Sequence, residues 1–102
     1  MRKPKKFGPY SFRSQTDLIA AIRAILHRYG LKQRVTNPEE ARFLNELFKN
    51  HPEYVEKVAG RTISHFEVHP YIHGSRCFFV IFYEGGMIDF SFKPVIRALR
   101  NK

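Results

Sequence analysis

The sequence predicts an α+β fold in which N-terminal helices precede a small three-stranded antiparallel meander and a C-terminal helix. Three observations carry this. Apolar residues recur at three- and four-residue intervals as far as Gly60, and at two-residue intervals beyond it. Helix-start chemistry occurs twice, at Ser14-Gln-Thr-Asp17 and at Asn37-Pro38-Glu39-Glu40. Gly85-Gly86 separates two strand-like runs, as a two-residue hairpin turn requires. With 102 residues the chain is expected to form one domain. A chain of this size buries about 60–70% of its unfolded surface.

Residues 1–6, MRKPKK, have no apolar partner and read as a basic flexible arm, leaving 7–102 as the domain. FGPYSF (7–12) reads as a short strand or a tight hairpin around Gly8-Pro9. Ser14 caps a helix expected over 15–29, whose stripe Leu18, Ile22, Ile25 and Tyr29 is widened by Ile19 and Leu26. Thr16, Ala20, Arg23 and His27 fall on the opposite face, and Gly30 is a natural stop. LKQRVT (31–36) reads as a basic loop. A second helix runs from Pro38 to about Lys49 and buries Ala41, Leu44, Leu47 and Phe48. A short third helix follows His51-Pro52-Glu53 and ends at Gly60.

After Gly60, TISHFEVH (62–69) places Phe66 and Val68 on one face of a strand and His65, Glu67 and His69 on the other. CFFVIFY (77–83) is apolar on both faces and belongs in the middle of the sheet. MIDFSF (87–92) alternates with Ile88, Phe90 and Phe92 inward, and KPVIRALRNK forms the closing helix.

Charge is the dominant compositional signal. The chain carries 18 Lys and Arg against 9 Asp and Glu, a formal net charge of +9. The excess is uneven: residues 1–34 hold nine cations and a single acid, Asp17, whereas residues 35–102 are close to balanced. Such asymmetry favours a polyanionic partner, nucleic acid before an anionic membrane surface. No apolar run approaches the roughly 18 residues of a membrane span. The basic start lacks the apolar stretch of a secretory signal. The lone Cys77 makes no internal disulfide, which suits a cytoplasmic setting.

His65, His69, His73 and Cys77 recur every four residues and raise the question of zinc. Four-residue spacing aligns ligands on a helix, but Pro70, Gly74 and the β-favouring Phe66, Val68, Tyr71 and Ile72 argue for extended chain. On a strand, His65 and His69 stand about 13 Å apart, too far to share a metal that needs ligands within about 2.0–2.3 Å. Polar sheet-face histidines and a buried thiol are the expectation, with no metal and no cofactor. Catalysis finds no constellation either. Cys77 opens an apolar strand, Glu67, Glu84 and Asp89 have no spacing that demands convergence on a metal, and no glycine loop is placed to cradle phosphate.

Several motifs occur in order: His51-Pro52, Lys57-Val58-Ala59-Gly60, His65-Phe66-Glu67-Val68, Gly74-Ser75-Arg76-Cys77-Phe78 and Gly86-Met-Ile-Asp-Phe-Ser-Phe92. Together with the upstream FRSQTDLIAAIRAIL they resemble the DCL family ("defective chloroplasts and leaves") over about residues 7–97. The resemblance implies a module attached to nucleic-acid processing, with plant members linked to plastid ribosomal RNA maturation. Similar domains end the largest subunits of plant-specific RNA polymerases or sit beside HNH nucleases. It carries over no catalytic residues. The chain resembles a stand-alone bacterial or phage-type member, and has Phe92 where the family often has Tyr.

The expected function is that of a noncatalytic nucleic-acid-binding module, RNA ahead of DNA, acting in ribosomal RNA maturation or related processing. Phosphate contacts are expected from Lys3, Lys5, Lys6, Arg13, Arg23, Arg28, Lys32 and Arg34. Arg76 is expected either to brace Asp89 or Glu67 or to join those contacts. Five to six contacts predict a salt slope of about −4 to −5 on duplex DNA. Tyr10, Tyr71 and Phe79 are the stacking candidates. The competing readings are a protein-interaction module that docks on RNA polymerase or the ribosome, and a metal-dependent nuclease using Asp89.

Overall fold

The computed structural model of the chain describes residues 5–100. It opens on a hairpin of β1 (Lys5–Phe7) and β2 (Tyr10–Phe12), antiparallel, with Phe7 opposite Tyr10. Gly8 turns the hairpin at a φ of +55°, where a side chain would be strained. Of the arm expected over 1–6, residues 1–4 lie outside the described residues, and Lys5 and Lys6 belong to β1. Helix α1 (Gln15–Arg28) starts as expected: the Asp17 N–H donates to Ser14 Oγ at 3.2 Å. Leu18, Ile22, Ile25 and Leu26 are buried, while Thr16, Ala20, Arg23 and His27 are exposed.

The segment read as a loop contains a strand. β3 (Gln33–Arg34) pairs antiparallel with β4 (Ile63–Pro70), setting Gln33 opposite Val68 and Arg34 opposite Glu67. The Lys32 N–H donates to Val68 O and the Val35 N–H to Phe66 O at either end of this short ladder. The principal sheet therefore has four strands, ordered β3-β4-β5-β6, and not the three of the expected meander. Two residues are too few to show a period of two, so β3 is made by its partner and not by its own pattern.

α2 (Pro38–Phe48) is capped by Asn37, whose side chain accepts from the Glu39 and Glu40 N–H groups. It buries Phe43, Leu44, Leu47 and Phe48. α3 (Tyr54–Val58) is a single turn closed by left-handed Ala59. β4 runs antiparallel to β5 (Arg76–Phe82), which runs antiparallel to β6 (Met87–Phe90), and α4 (Lys93–Arg100) follows.

Helices cover one face of the sheet. Phe66, Val68, Phe78, Val80 and Phe90 point into a core shared with α1, α2 and the Val95, Ile96 and Leu99 side chains of α4. The Phe90 ring lies 4.8 Å from Phe48, 6.2 Å from Phe66 and 6.3 Å from Phe78, so one side chain ties α2 to three strands. A second aromatic group joins Phe7, Tyr10 and Phe12 of the hairpin to Phe43. His51 is buried against Phe48 and Phe90, and its Nδ1 accepts from the Glu53 N–H at 3.0 Å. The other sheet face carries half-buried His65, Glu67, His69, Phe79, Ile81 and Asp89.

Candidate nucleic-acid interface

The burial pattern of two helices creates a cationic groove. α1 turns Leu18, Ile22 and Ile25 into the core, which leaves Arg23 and His27, four residues apart, on its outer side. α4 buries Val95, Ile96 and Leu99, which by the same geometry leaves Lys93 and Arg97 outward. Arg23 from α1 and Lys93 and Arg97 from α4 rim a groove whose floor is Ile19, Phe92 and Ile96. Past Arg23, Phe92 and Lys93 the groove widens to about 660 Å³ and is bounded by His27, Tyr71, His73 and Arg76. That volume falls within the ~300–1,000 Å³ of ligand-sized clefts. Among the described residues, no carboxylate lines either part. An apolar floor beside Arg23, Lys93 and Arg97 strengthens attraction for an anion, because charges near low-dielectric surface are less screened.

The expected phosphate contacts are divided by the fold. Lys3 lies outside the described residues, and Lys5 and Lys6 are in β1. Arg13 is exposed between β2 and α1. Arg23 lines the groove. Arg28 is paired with Glu40 at 3.0 Å, a carboxylate that also accepts the Tyr29 hydroxyl at 2.7 Å, so part of its charge is answered within the fold. Lys32 is exposed in the turn before β3 at a φ of 67°. Arg34 is exposed on β3. The opening third therefore does not collect its cations into one pocket. Lys93, Arg97, His27 and His73 complete the groove; the sequence reading set His27 beside Arg23 on the outer face of α1 but counted none of the four among its phosphate contacts. The signal for two of them was present: Lys93 and Arg97 share one face of an amphipathic helix.

Arg76 corrects an expectation directly. Its Nη1 donates to Tyr29 O at 2.8 Å and to Leu26 O at 3.3 Å, carbonyls at the C-terminal end of α1. It braces neither Asp89 nor Glu67. Asp89 Oδ1 lies 3.7 Å from Lys57 Nζ, and its Oδ2 accepts from the Tyr71 hydroxyl at 3.4 Å. Asp89 in turn pushes the Tyr71 phenol above its ordinary value.

The histidines on the outer sheet face turn toward one carboxylate. His65 Nε2 lies 2.6 Å from one Glu67 oxygen and His69 Nε2 2.7 Å from the other. Because a carboxylate only accepts, both rings donate from Nε2. Burial works to raise the Glu67 pKa, but the two histidines, through their hydrogen bonds first and electrostatic attraction second, outweigh it and hold the carboxyl below its ordinary value. Cys77 is buried on β5, where burial first and the Asp89 charge second push its thiol up to about 11. Among the described residues, no three His, Cys, Asp or Glu side chains converge as a metal site would require. Of the stacking candidates, Tyr10 is packed edge-on against Phe43 at 5.2 Å, whereas Tyr71 is exposed at the groove. Phe79 is half-buried beneath His69 and Tyr71.

Comparison with known proteins adds the lineage. The sequence model of the family described as "Protein of unknown function (DUF3223)" matches residues 23–96. Protein DCL homolog, chloroplastic, of Arabidopsis thaliana is 34% identical over 89 residues, covering 83% of this chain and 40% of that protein. Protein DCL, chloroplastic, of Solanum lycopersicum is 32% identical over 89 residues, covering 83% of this chain and 39% of its own length. The chain belongs to the DCL family. It spans about 40% of the length of these plant DCL proteins. The solution NMR structure of an uncharacterized protein from Rhodospirillum rubrum shares the fold of this DCL domain. The TM-score is 0.82 at 26% identity, covering 93% of this chain and 89% of that one. The matched region holds the groove's Arg23, His27, His73 and Lys93, and Arg97 follows it directly.

Proposed function

We propose that this DCL domain is a noncatalytic nucleic-acid-binding module that grips a phosphate backbone in the groove between α1 and α4. The observation that carries the reading is the convergence of Arg23, Lys93 and Arg97, from opposite ends of the chain, on a cleft that no carboxylate lines among the described residues. Guanidinium and ammonium groups so placed neutralise phosphates without reading bases, so sequence preference is weak. The exposed Tyr71 ring offers a surface for an unpaired base, which favours single strands. RNA is placed ahead of DNA on the ribosomal RNA link that the family resemblance implies. A thiol held near 11 and hydrogen-bonded to Phe78 O is a poor nucleophile at neutral pH, in keeping with a role without catalysis.

The test is fluorescence anisotropy with a labelled single-stranded RNA of about ten nucleotides, titrated over a salt series with heparin as competitor. Binding that weakens at least tenfold in the Lys93→Gln/Arg97→Gln protein supports the reading. Absence of binding to micromolar RNA at 50 mM salt overturns it in favour of a protein partner.

A further inference from the structure

A second cleft lies diagonally across the sheet from the first. It is formed between α2 and the start of β4, with a volume of about 700 Å³. Arg34 and Arg42 stand at its rim, with Thr36, Asn45, Ser64 and His65 as its other polar lining. Both arginines are exposed, and among the described residues no carboxylate pairs with either or lines the cleft. Glu67 faces Arg34 across the β3–β4 ladder, but its two oxygens are held by His65 and His69. A register shift between Ile63 and His65 leaves Ser64 without a cross-strand partner and brings its Oγ to 2.9 Å from His65 Nδ1. Such bulges re-aim a side chain that regular pleating would send to the opposite face. The hydroxyl is thereby added to the cleft wall beside the imidazole.

The two clefts share no lining residue. This one sits at the β3–β4 edge beside Ser64, and the other at the β5–β6 edge beside Cys77, which pairs with His69. One strand across and five residues along the sheet place them on the order of 20 Å apart. Among the described residues, neither cleft is lined by a carboxylate. We infer that the protein holds two separate segments of single-stranded nucleic acid at once, one in each cleft, and so brings strands together instead of merely coating one. This rests on the function proposed above and adds a second binding site with a defined chemistry: a phosphodiester backbone between Arg34 and Arg42, with Thr36 and Asn45 as neutral hydrogen-bond donors.

The test uses two non-complementary ten-nucleotide RNAs, one carrying a donor dye and one an acceptor, titrated with the full chain. Energy transfer should rise, peak near one protein per two RNAs, and fall when excess protein gives each RNA its own molecule. Arg34→Gln/Arg42→Gln, at exposed positions and with unchanged circular dichroism, should abolish transfer and reduce the stoichiometry from two RNAs per protein to one. Transfer that persists in this variant, or a wild-type stoichiometry of one, overturns the inference while leaving the single-groove function standing. Absence of RNA binding by the wild-type protein overturns both.

Discussion

Arg76, at the start of β5, closes the end of α1 through Tyr29: its Nη1 donates to the Tyr29 carbonyl at 2.8 Å across 47 residues of sequence. With the bond to Leu26 O, the guanidinium satisfies two carbonyls that the helix itself leaves open, and adds positive charge at the negative end of its dipole. The same contact fixes α1, and therefore Arg23 and His27, relative to the sheet.

Truncating Arg76 should consequently loosen the fold as well as the groove. Hydrogen bonds to a charged donor contribute roughly 1.5–3 kcal/mol. Arg76→Ala is expected to lose stability in that range, read as a lower urea midpoint at constant slope. A midpoint equal to wild type would show that the helix end needs no such cap.

Salt dependence separates the groove from diffuse charge. Arg23, Lys93 and Arg97 give three strong phosphate contacts, for a slope of about −2 on single-stranded RNA. The double variant Lys93→Gln/Arg97→Gln should reduce the slope by about 1.4 units, measured by anisotropy between 50 and 200 mM salt. An unaltered slope would place the RNA elsewhere. This expectation is shallower than the slope of about −4 to −5 expected from five to six contacts on duplex DNA, because three cations rim the groove, Arg28 is engaged by Glu40, and a single strand releases fewer counterions per contact.

Acid should destabilise the protein in two stages. Burial first, and the Lys57 charge second, pull the His51 pKa below its ordinary 6.5. The unfolded chain then binds that proton more readily than the folded one, so stability is full above about pH 6.5 and declines as pH falls below it. Protonation would also set a donor on Nδ1 against the Glu53 N–H. Glu67 is likewise depressed from its ordinary 4.5, and its contribution is lost on further acidification below that value. Thermal melts from pH 8 to about 3 should show both stages, and His51→Gln should remove the first. A profile flat between pH 7 and 5.5 would contradict the assignment.

The Cys77 thiol should resist modification. With a pKa near 11 and little exposure, about one molecule in a thousand carries thiolate at pH 8. Reaction with a disulfide reagent should be at least a hundredfold slower in the native protein than in urea. Comparable rates would mean that β5 opens easily.

How much was readable beforehand followed the reach of the forces involved. Ser14 and Asn37 act within three residues, so both helix starts could be read locally. The core strands announced themselves through the alternation of Phe66 and Val68 and the apolar run of β5. β3 did not, because Gln33 and Arg34 are exposed and are made a strand only by distant β4. The groove escaped for a related reason. Counting charge along the chain credits Arg28, which Glu40 engages, and overlooks Lys93 and Arg97, which become neighbours of Arg23 only after α4 packs. The partner of Arg76 was equally hidden, since a backbone carbonyl has no residue-type signature.

At the margin of the sheet, β3 offers an incoming chain two exposed polar residues and little length on which to form a ladder. The longer, partly apolar β4 beside it is thereby shielded from pairing with a neighbour's strand over Phe66 to Val68. A stub too small to be noticed in the sequence thus guards against fibrous self-association, and a protein this rich in phenylalanine has good use for such a guard.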